Sequence, residues 1–551
     1  MKRSVEKYFP AAAVSLLLPV LAMGQEQGID ERIDAAFRPV ADWWEWLVFF
    51  PMPLPAPLDL PIVLYLLIFG ATFFTVVFGF INIRRFPLAI NVVRGKYDDI
   101  EMAADPDHRE PHIEKAELNI IDGDIPDTIK DESHHGEVNH FQALATAVSG
   151  TVGLGNIAGV AVAIGIGGPG ATLWMIIAGL LGMSSKFVEC TLGVKYRDID
   201  ADGTVHGGPM YYLSRGLREK GLGGLGKVLA VVFAIFCVGG AFGGGNAFQA
   251  NQATSQLTTM FGFATDGSAR TIIGIIMAIL VAIVIIGGIR RIAKVTEKLV
   301  PLMAIIYIIA SLIIILSHFT EVPTAIGMII SGAFTPTAAV GGIAGVIIQG
   351  FRRAAFSNEA GAGSAAIAHS AVRTKYPASE GLVALLEPFI DTVVICTMTA
   401  IVIVLFNMQG DFFQYGGIVD ATGARNVMID GQAVNGVDLT ARAYNDVLPG
   451  FNFVLTIAIV LFAFSTMISW SYYGLQSWKF LFGRSKAADL SFKVLFCLFV
   501  VVGAAASLGS VLAFSDAMIL AMVFPNMIGL LFLFPRVREE LGRYLKAIGK
   551  A

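Results

Sequence analysis

Long apolar segments follow one another along most of this 551-residue chain, separated by shorter polar stretches. A helix that crosses a membrane needs about 20 predominantly apolar residues, because the hydrocarbon layer is roughly 30 Å thick. Segments of about this length or longer occupy 60–82, 141–166, 169–193, 227–250, 271–289, 299–317, 338–370, 380–406, 451–475, 490–511 and 515–534. The pattern predicts an all-α polytopic membrane protein with about eleven transmembrane helices.

The charges of the loops test this count. Cytoplasmic loops are enriched in Lys and Arg. If the first segment enters from outside, the predicted inside loops contain basic residues such as Arg84, Arg290 and Lys479, whereas the predicted outside loop 318–337 contains none. Residues 536–551 form a cytoplasmic tail in this arrangement. Eleven spans therefore predict that the N-terminus lies outside and the C-terminus inside. The predicted location is a bacterial-type plasma (inner) membrane.

The first 24 residues have the pattern of a secretory signal peptide. Lys2 and Arg3 precede a short apolar core, and small residues precede Gln25. This order is typical of cleavage by signal peptidase, although an uncleaved helix is the alternative. Residues 25–59 then form an extracytoplasmic segment.

Two polar stretches interrupt the apolar pattern. Residues 98–137 contain fourteen acidic residues and no span, which predicts a solvated acidic insertion on the cytoplasmic side. A metal site is the alternative there, but no ligand spacing recurs among the histidines. Those histidines are His108, His112, His134 and His135. The loop 407–450 has turn residues between alternating apolar positions, and we predict a small external hairpin or cap.

The composition changes this picture little. Charged residues make up only 15% of the chain, against about 25% in soluble domains. The net charge of −4 gives no sign of nucleic-acid binding. The four cysteines lie in apolar segments, in a spacing that suits neither zinc nor a disulfide framework.

The second span contains a helix-breaking sequence at its centre. Residues 149–156 read SGTVGLGN, and 357–364 in the seventh span read SNEAGAGS. The two breaks are five spans apart, so they cross the membrane in opposite directions. This predicts an inverted repeat of five plus five helices, 138–317 and 338–535, with 60–82 as an extra span.

A break at this depth has a chemical use. Unwound backbone inside a membrane is tolerated where protein or a water-filled cavity receives its polar groups. The freed amides suit a carboxylate and the freed carbonyl groups suit a cation, so such a pair of breaks can hold a zwitterion beside a small cation. The alternative is that the glycines only permit close helix packing.

Other polar residues lie within the apolar segments. Glu189, Glu359 and Asp391 either brace the free backbone of the breaks or carry a proton. Arg352 and Arg353 either pair with Glu359 or Glu189, or extend toward water.

Two further stretches are candidates for the site. Ser465 and Thr466 are adjacent hydroxyls that suit sodium, although hydroxyls within a helix often bond the preceding turn instead. Asn246, Phe248 and Gln249 either line a substrate cavity or belong to a stretch of close helix packing.

The sequence SGTVGLGN, followed by GGPGATLWMIIAGLLGMSSKFVE, resembles the alanine or glycine:cation symporter family. The stretch GFRRAAFSNEAGAGSAAIAHSA resembles the second signature of that family. The resemblance covers about 60–96 and 138–535. A more distant similarity, through VGLGN, is to the bacterial leucine transporter fold, which implies a five-plus-five core with two discontinuous helices.

The resemblance also implies roles for single residues. It assigns sodium to the backbone of Ser149 and Val152 with Ser465 and Thr466, and a second sodium to Asn156. It assigns the amino-acid carboxylate to Thr151, Gly153 and Gly155, and the amino group to Ser357, Asn358 and Gly361.

The sequence thus predicts a sodium-coupled symporter for a small neutral amino acid such as alanine or glycine. We expect no cofactor, and no metal beyond sodium. Proton coupling is the alternative, and a membrane-embedded enzyme or a channel fits the pattern less well because no nucleophile, metal cluster or continuous pore is indicated.

Overall fold

A computed structural model describes residues 29–54, 60–102, 136–200, 203–262, 268–335, 342–419, 425–434, 436–447 and 450–550. The predicted signal peptide and the four histidines of the acidic insertion lie outside the described residues.

Helices make up most of the described chain. Its first half contains α1 (Ile29–Val48), α2 (Ile62–Val77), α3 (Ile81–Arg84), α4 (Phe86–Val93), α5 (Asp98–Met102), α6 (His140–Thr151), α7 (Val160–Gly167), α8 (Ala171–Lys195), α9 (Pro209–Glu219), α10 (Gly223–Phe242), α11 (Phe248–Phe261), α12 (Ala269–Ile285) and α13 (Gly288–Ser317). Its second half contains α14 (Val322–Phe334), α15 (Gly342–Asn358), α16 (Ala365–His369), α17 (Pro377–Ala384), α18 (Leu386–Pro388), α19 (Thr397–Gly410), α20 (Val437–Val447), α21 (Asn452–Phe482), α22 (Lys486–Ala505), α23 (Leu508–Ala521) and α24 (Val523–Ala547). Three π-helical segments, Gly155–Gly159, Gly243–Ala247 and Phe389–Cys396, connect helices.

The long apolar helices agree with a multi-pass membrane protein. Seven helical runs of the described chain are long and apolar enough to cross a membrane, and the bent pair of α6 with the run Gly155–Gly167 makes an eighth. Shorter apolar helices are α2, α12 and α14. The helix α14 lies within 318–337, the segment that the charge pattern predicts to connect two spans on the outside. The count of eleven spans and the inverted repeat stay predictions.

Loop contacts define one end of the helix bundle. Arg197 donates to the carbonyl oxygens of Ser370 and Thr374 at 2.9 and 3.2 Å. The two short strands β1 (Asp198–Ile199) and β2 (Val205–His206) pair beside it, and Arg484 bonds Asp198 at 2.6 Å. We call this end of the helix bundle the basic end, because these contacts join loops that the charge pattern predicts on the cytoplasmic side of the membrane.

The opposite end carries the predicted hairpin. Strands β3 (Ile418–Val419), β4 (Arg425–Ile429) and β5 (Gln432–Val434) form an antiparallel sheet in the order β3-β4-β5. The amide of Gly416 donates to the carbonyl oxygen of Gly165 at 2.9 Å, and Thr440 donates to that of Ile157 at 3.0 Å. The prediction of a small cap in 407–450 is confirmed, and this cap contacts the helix that follows the first break.

One acidic residue departs from the predicted solvated loop. Glu101 on α5 is buried and accepts a hydrogen bond from the hydroxyl of Tyr544 at 2.7 Å. Burial alone would raise the pKa of this carboxyl, but hydrogen bonds from His140, Thr374 and Tyr544 outweigh burial and lower it. The expectation of a solvated side chain was therefore wrong for Glu101. Its partner Tyr544 lies on α24, which stays helical to Ala547 within the predicted tail 536–551.

Candidate functional site

The first break lies between α6 and the π-helical segment that begins at Gly155. The helix axes on either side differ by 49°. The freed amide of Gly153 donates to Oδ1 of Asn156 at 2.9 Å, and that of Leu154 donates to Oε1 of Gln249 at 3.0 Å. Two side-chain amides therefore satisfy the backbone donors that the break exposes.

The second break lies between α15 and α16. Glu359, Gly361 and Gly363 all have positive φ, at 55°, 89° and 90°. Glycine adopts such angles without strain, whereas a residue with a Cβ adopts them at a cost. The two glycines of the SNEAGAGS sequence thus let the chain unwind here, and Glu359 is held in an unusual conformation between them and α15.

The two breaks lie against each other. A Cβ atom placed on Gly155 would lie 3.4 Å from the ring of Phe356 and 3.5 Å from the Cα of Ser357. Phe356 in turn packs edge-on against Phe248, with ring centroids 5.0 Å apart. The predicted pocket residue Phe248 is therefore next to both breaks, together with Ser357.

Asp391 joins the two breaks by hydrogen bonds. Its Oδ1 accepts from the amide of Asn156 at 2.6 Å, and its Oδ2 accepts from the hydroxyl of Ser357 at 2.8 Å. Thr392 donates to the same Oδ2 at 2.6 Å, and Asn358 donates to the hydroxyl of Thr392 at 2.8 Å. The carboxylate thus holds a residue of each break at a fixed separation.

The predicted sodium residues also meet. The hydroxyl of Ser149 donates to the carbonyl oxygen of Ser465 at 2.8 Å, and the hydroxyl of Thr466 donates to the carbonyl oxygen of Ser149 at 2.9 Å. The hydroxyl of Ser465 itself bonds the carbonyl oxygen of Phe462 in its own helix at 2.9 Å. Val152 lies three residues after Ser149, directly follows the last residue of α6 and is fully buried. Oxygen atoms of α6 and α21 therefore lie together at the first break.

Other predicted site residues have structural contacts. Thr151 donates to the carbonyl oxygen of Ala147 at 3.3 Å within its own helix. The carbonyl oxygen of Gly361 accepts from Asn526 at 2.9 Å, and a Cβ on Gly361 would lie 2.9 Å from both Leu67 and Met527. The structure thus places Gly361 against α2 and α24.

The remaining carboxylates bond the groups around the breaks. Glu359 accepts from the indole of Trp470 at 2.9 Å, and the same indole donates to the carbonyl oxygen of Gly150 at 3.2 Å. Glu189 accepts from Asn526 at 3.0 Å. Trp470 and Asn526 thus connect these two carboxylates to the backbone carbonyl oxygens of Gly150 and Gly361.

Both arginines of the second signature pair elsewhere than predicted. Arg352 bonds Asp516 and Glu45, both at 2.7 Å, and lies 4.0 Å from the ring centre of Phe49. Arg353 is buried and also pairs with Asp516. Neither predicted partnership, with Glu359 or with Glu189, is among these ion pairs.

Sequence reasoning missed two residues of this region. Trp470 bridges the breaks, and Lys186 forms a fully buried ion pair with Glu387 at 3.1 Å. A lysine in the middle of an apolar helix is a signal that the sequence does carry, whereas the contacts of Trp470 depend on helix packing. Gln249, a cavity candidate in the sequence, bonds the first break. The described residues contain no group of three or more His, Cys, Asp or Glu arranged to hold a metal ion.

Comparisons with known proteins extend this picture. The sequence model of the sodium:alanine symporter family matches residues 122–551. The sodium/alanine symporter AgcS of Methanococcus maripaludis is 37% identical over 481 residues, which cover 87% of this chain and 93% of that protein. A Bacillus subtilis protein named "Putative sodium/proton-dependent alanine carrier protein YrbD" is 34% identical over 417 residues, 74% of this chain and 81% of that protein. Among solved structures, MhsT in complex with L-phenylalanine aligns with a TM-score of 0.46 and 17% identity, over 73% of this chain and 99% of that one.

Proposed function

The chain belongs to the sodium:alanine symporter family, and on this premise we propose that it takes up alanine, glycine or a similar small neutral amino acid together with sodium. The carrying observation is that the hydroxyl of Thr466 on α21 donates to the carbonyl oxygen of Ser149 on α6 at 2.9 Å, beside the first break. Hydroxyl and carbonyl oxygens are the ligands that a hard cation prefers. Sodium would bind among the oxygens of Ser149, Val152, Ser465 and Thr466, and Asn156 is our candidate for a second sodium.

The amino acid would bind between the two breaks. Its carboxylate would take the amides of Gly153 and Leu154 from the side-chain oxygens of Asn156 and Gln249, which now accept from them. Thr151 and Gly155 would lie beside that carboxylate. The backbone around Ser357, Asn358 and Gly361 would receive the amino group. Phe248 and Phe356, packed edge-on, would limit the pocket to a small side chain.

Adjacent sites give a reason for coupling. Gly153 lies directly against Thr466, so the carboxylate and the ion would share one short stretch of backbone. Binding of either one would order the residues that hold the other, and such a mutual effect is reciprocal by thermodynamic linkage. Occupancy of both would then favour alternation between outward and inward openings.

We also propose the arrangement in the membrane. The basic end would face the cytoplasm of a bacterial-type plasma membrane, because cytoplasmic loops are enriched in Lys and Arg. The two breaks would belong to inverted repeats 138–317 and 338–535, with 60–82 as an additional span. The names of the family and of the relative AgcS support sodium as the driving ion over a proton carried by Glu189, Glu359 or Asp391.

Uptake of labelled alanine by purified, reconstituted protein tests this function. We expect uptake under an inward sodium gradient without a pH gradient, and loss of uptake when choline replaces sodium. Uptake that persists in choline and requires a pH gradient would instead support the proton-coupled alternative. Competition by unlabelled glycine and by larger amino acids would define the substrate range.

A further inference from the structure

A line of buried ionisable side chains lies next to the second break and takes no part in the proposed substrate site. Lys186, Glu387, His369, Glu380, His140 and Glu101 follow one another along it. They come from six elements, α8, α18, α16, α17, α6 and α5, which the sequence separates widely. We call these six residues the relay.

The first part of the relay runs from α8 to α17. The ammonium group of Lys186 lies 3.1 Å from Oε1 of Glu387, whose Oε2 lies 3.6 Å from Nε2 of His369. The other ring nitrogen of His369, Nδ1, lies 2.5 Å from Oε1 of Glu380. Each histidine nitrogen thus faces a different carboxylate, which is the arrangement that lets an imidazole pass a proton from one side to the other.

The second part reaches the basic end. His140 contacts Oε2 of Glu380 through Nδ1, and its Nε2 lies 2.8 Å from Oε2 of Glu101. Glu101 also accepts from the hydroxyls of Thr374 and Tyr544, both at 2.7 Å. The relay therefore ends on α5, beside the loops that we propose to be cytoplasmic.

Charge balance requires protons in this line. The three carboxylates of Glu101, Glu380 and Glu387 face one lysine, so the relay is neutral only when it holds two further protons. In the closed state we assign one of them to each histidine. All six side chains are buried, and an unbalanced charge at such a place is costly. Lys186 is also within electrostatic range of Glu359 and Glu189, so its charge is already shared with the carboxylates of the second break.

The contact between Glu387 and His369 is the open step of the line. Among the described residues, Nε2 of His369 and Oε2 of Glu387 have no hydrogen-bond partner, although they face each other. The other titratable or charged groups facing the relay from the packed elements are Glu189, Cys190, Arg197, Glu297, Glu359, Tyr473 and Tyr544. Only Arg197 among these is a cation, and it bonds backbone oxygens of 370–374.

The first break makes α6 a movable part of this line. Because α6 joins α7 through the unwound residues Val152–Leu154 and the π-helical segment, it can swing at the basic end while α7 stays in place. Such a movement would draw His140 away from Glu380 and Glu101. One carboxylate of the relay would then lose the positive charge that balances it.

We propose that the relay is a proton site of the cytoplasmic gate. When α6 moves away from α17, Oε2 of Glu380 takes a proton from a cytoplasmic hydronium ion and forms an O–H bond, leaving water. When α6 returns to α17, that proton returns to the cytoplasm, and the positive charge of protonated His140 again balances the carboxylate of Glu380. This inference rests on the proposed transport function, because the gate it describes is the one through which the amino acid would leave.

The protonation of the opened relay then follows the pH of the cytoplasm, because the gate opens to that side. An exposed histidine titrates near pH 6.5, so opened His140 keeps its own proton below about that value and Glu380 gains an additional one. Lowering the cytoplasmic pH through about 6.5 should therefore favour opening by up to about tenfold per pH unit. Above that range the proton of His140 can pass to Glu380, and opening needs no net proton.

Right-side-out vesicles that contain the protein test the proposal. The external pH and the sodium gradient are held constant, the voltage is clamped with potassium and valinomycin, and the internal pH is varied from 5.5 to 8.5. We expect the wild-type rate of alanine uptake to rise as the internal pH falls through about 6.5. In His140→Gln this dependence should disappear, because no exposed imidazole remains to keep a proton of its own when the gate opens.

His318→Gln is the matched control, since His318 follows α13 at the opposite end and bonds only its own helix turn and Ser317 among the described residues. Sodium-dependent binding of alanine shows that each variant is folded. A wild-type rate that is independent of internal pH overturns the proposal without any variant. A wild-type pH profile retained in His140→Gln overturns it as well. Absence of sodium-driven uptake in the wild type would contradict the proposed function instead.

Discussion

Replacement of Gly153 by alanine is the sharpest test of the proposed sodium site. A Cβ on Gly153 would lie 2.3 Å from Oγ1 of Thr466 and 3.1 Å from Oε1 of Gln249. Real Cβ contacts essentially never fall below 3.0 Å, so Thr466 and the backbone must separate by about 0.7 Å. Because the helices that carry them are packed, we expect the Thr466 side chain to rotate and its 2.9 Å hydrogen bond to Ser149 to break.

The magnitude follows from the broken bond. Leaving a buried polar group without its partner costs about 1–3 kcal/mol, which is a change of about 5–150-fold in an equilibrium constant. In Gly153→Ala we therefore expect the sodium concentration for half-maximal alanine uptake to rise at least about fivefold. The carboxylate would also meet a narrower site, so the maximal rate should fall at saturating sodium.

The assay is sodium-dependent alanine uptake in proteoliposomes, normalised to the amount of reconstituted protein. Gly159→Ala is the matched control, because a Cβ on this nearby buried glycine meets nothing within 4 Å. We expect this control to keep the wild-type sodium dependence. A Gly153→Ala protein with wild-type sodium dependence and rate would show that neither Thr466 nor the first break binds the transported species as proposed.

Three further outcomes follow from the contacts. Thr466→Val should raise the sodium concentration for half-maximal uptake about 5–150-fold. Ser465→Ala should have a smaller effect, because the hydroxyl of Ser465 bonds its own helix. Equal effects of the two variants would contradict a larger role for Thr466. Asp391→Asn should reduce uptake at least about fivefold with little loss of protein from the membrane, since an amide nitrogen cannot accept the hydrogen bonds that hold the two breaks, and wild-type uptake would remove Asp391 from that role. Glu101→Gln should destabilise the solubilised protein by about 1–3 kcal/mol near neutral pH, while the exposed Asp99→Asn should not. The pKa of Glu101 is lowered in the folded protein, so its carboxylate stabilises the fold above the ordinary pKa of 4.5. This stabilisation is lost as the pH falls through the pKa of the folded state. The thermal unfolding temperatures of Glu101→Gln and the wild type should therefore converge in acid.

The positions of the breaks could be read from the sequence. A membrane-crossing helix must satisfy its own backbone, so glycines and small polar residues at the centre of an apolar segment are a local signal of unwinding. For this reason SGTVGLGN and SNEAGAGS mark the ends of α6 and α15 to within a few residues. The proximity of Ser149 to Ser465 and Thr466 was available only through the family resemblance, because no local pattern relates residues so far apart.

The partners of the buried charged residues could not be predicted from the sequence. For Arg353 the sequence left a pair with Glu359, a pair with Glu189 and extension toward water as alternatives, yet this arginine pairs with Asp516. The sequence has no carboxylate within one helical turn of His369, yet Glu380 and Glu387 on the two following helices face its two nitrogens. In both cases the partner depends on which helix faces which, and this information is absent from the spacing within one helix.

The sequence by itself determined the class of the molecule, its long apolar helices and the two places where helices break. These features follow from the thickness of the bilayer and the need to satisfy each backbone amide, and both constraints act locally along the chain. Only the tertiary structure decided that Asp391 joins the breaks, that Gly153 abuts Thr466, and that the relay reaches from Lys186 to Glu101. Buried polar groups must find partners wherever the packed helices bring them, and packing unites residues that are hundreds of positions apart.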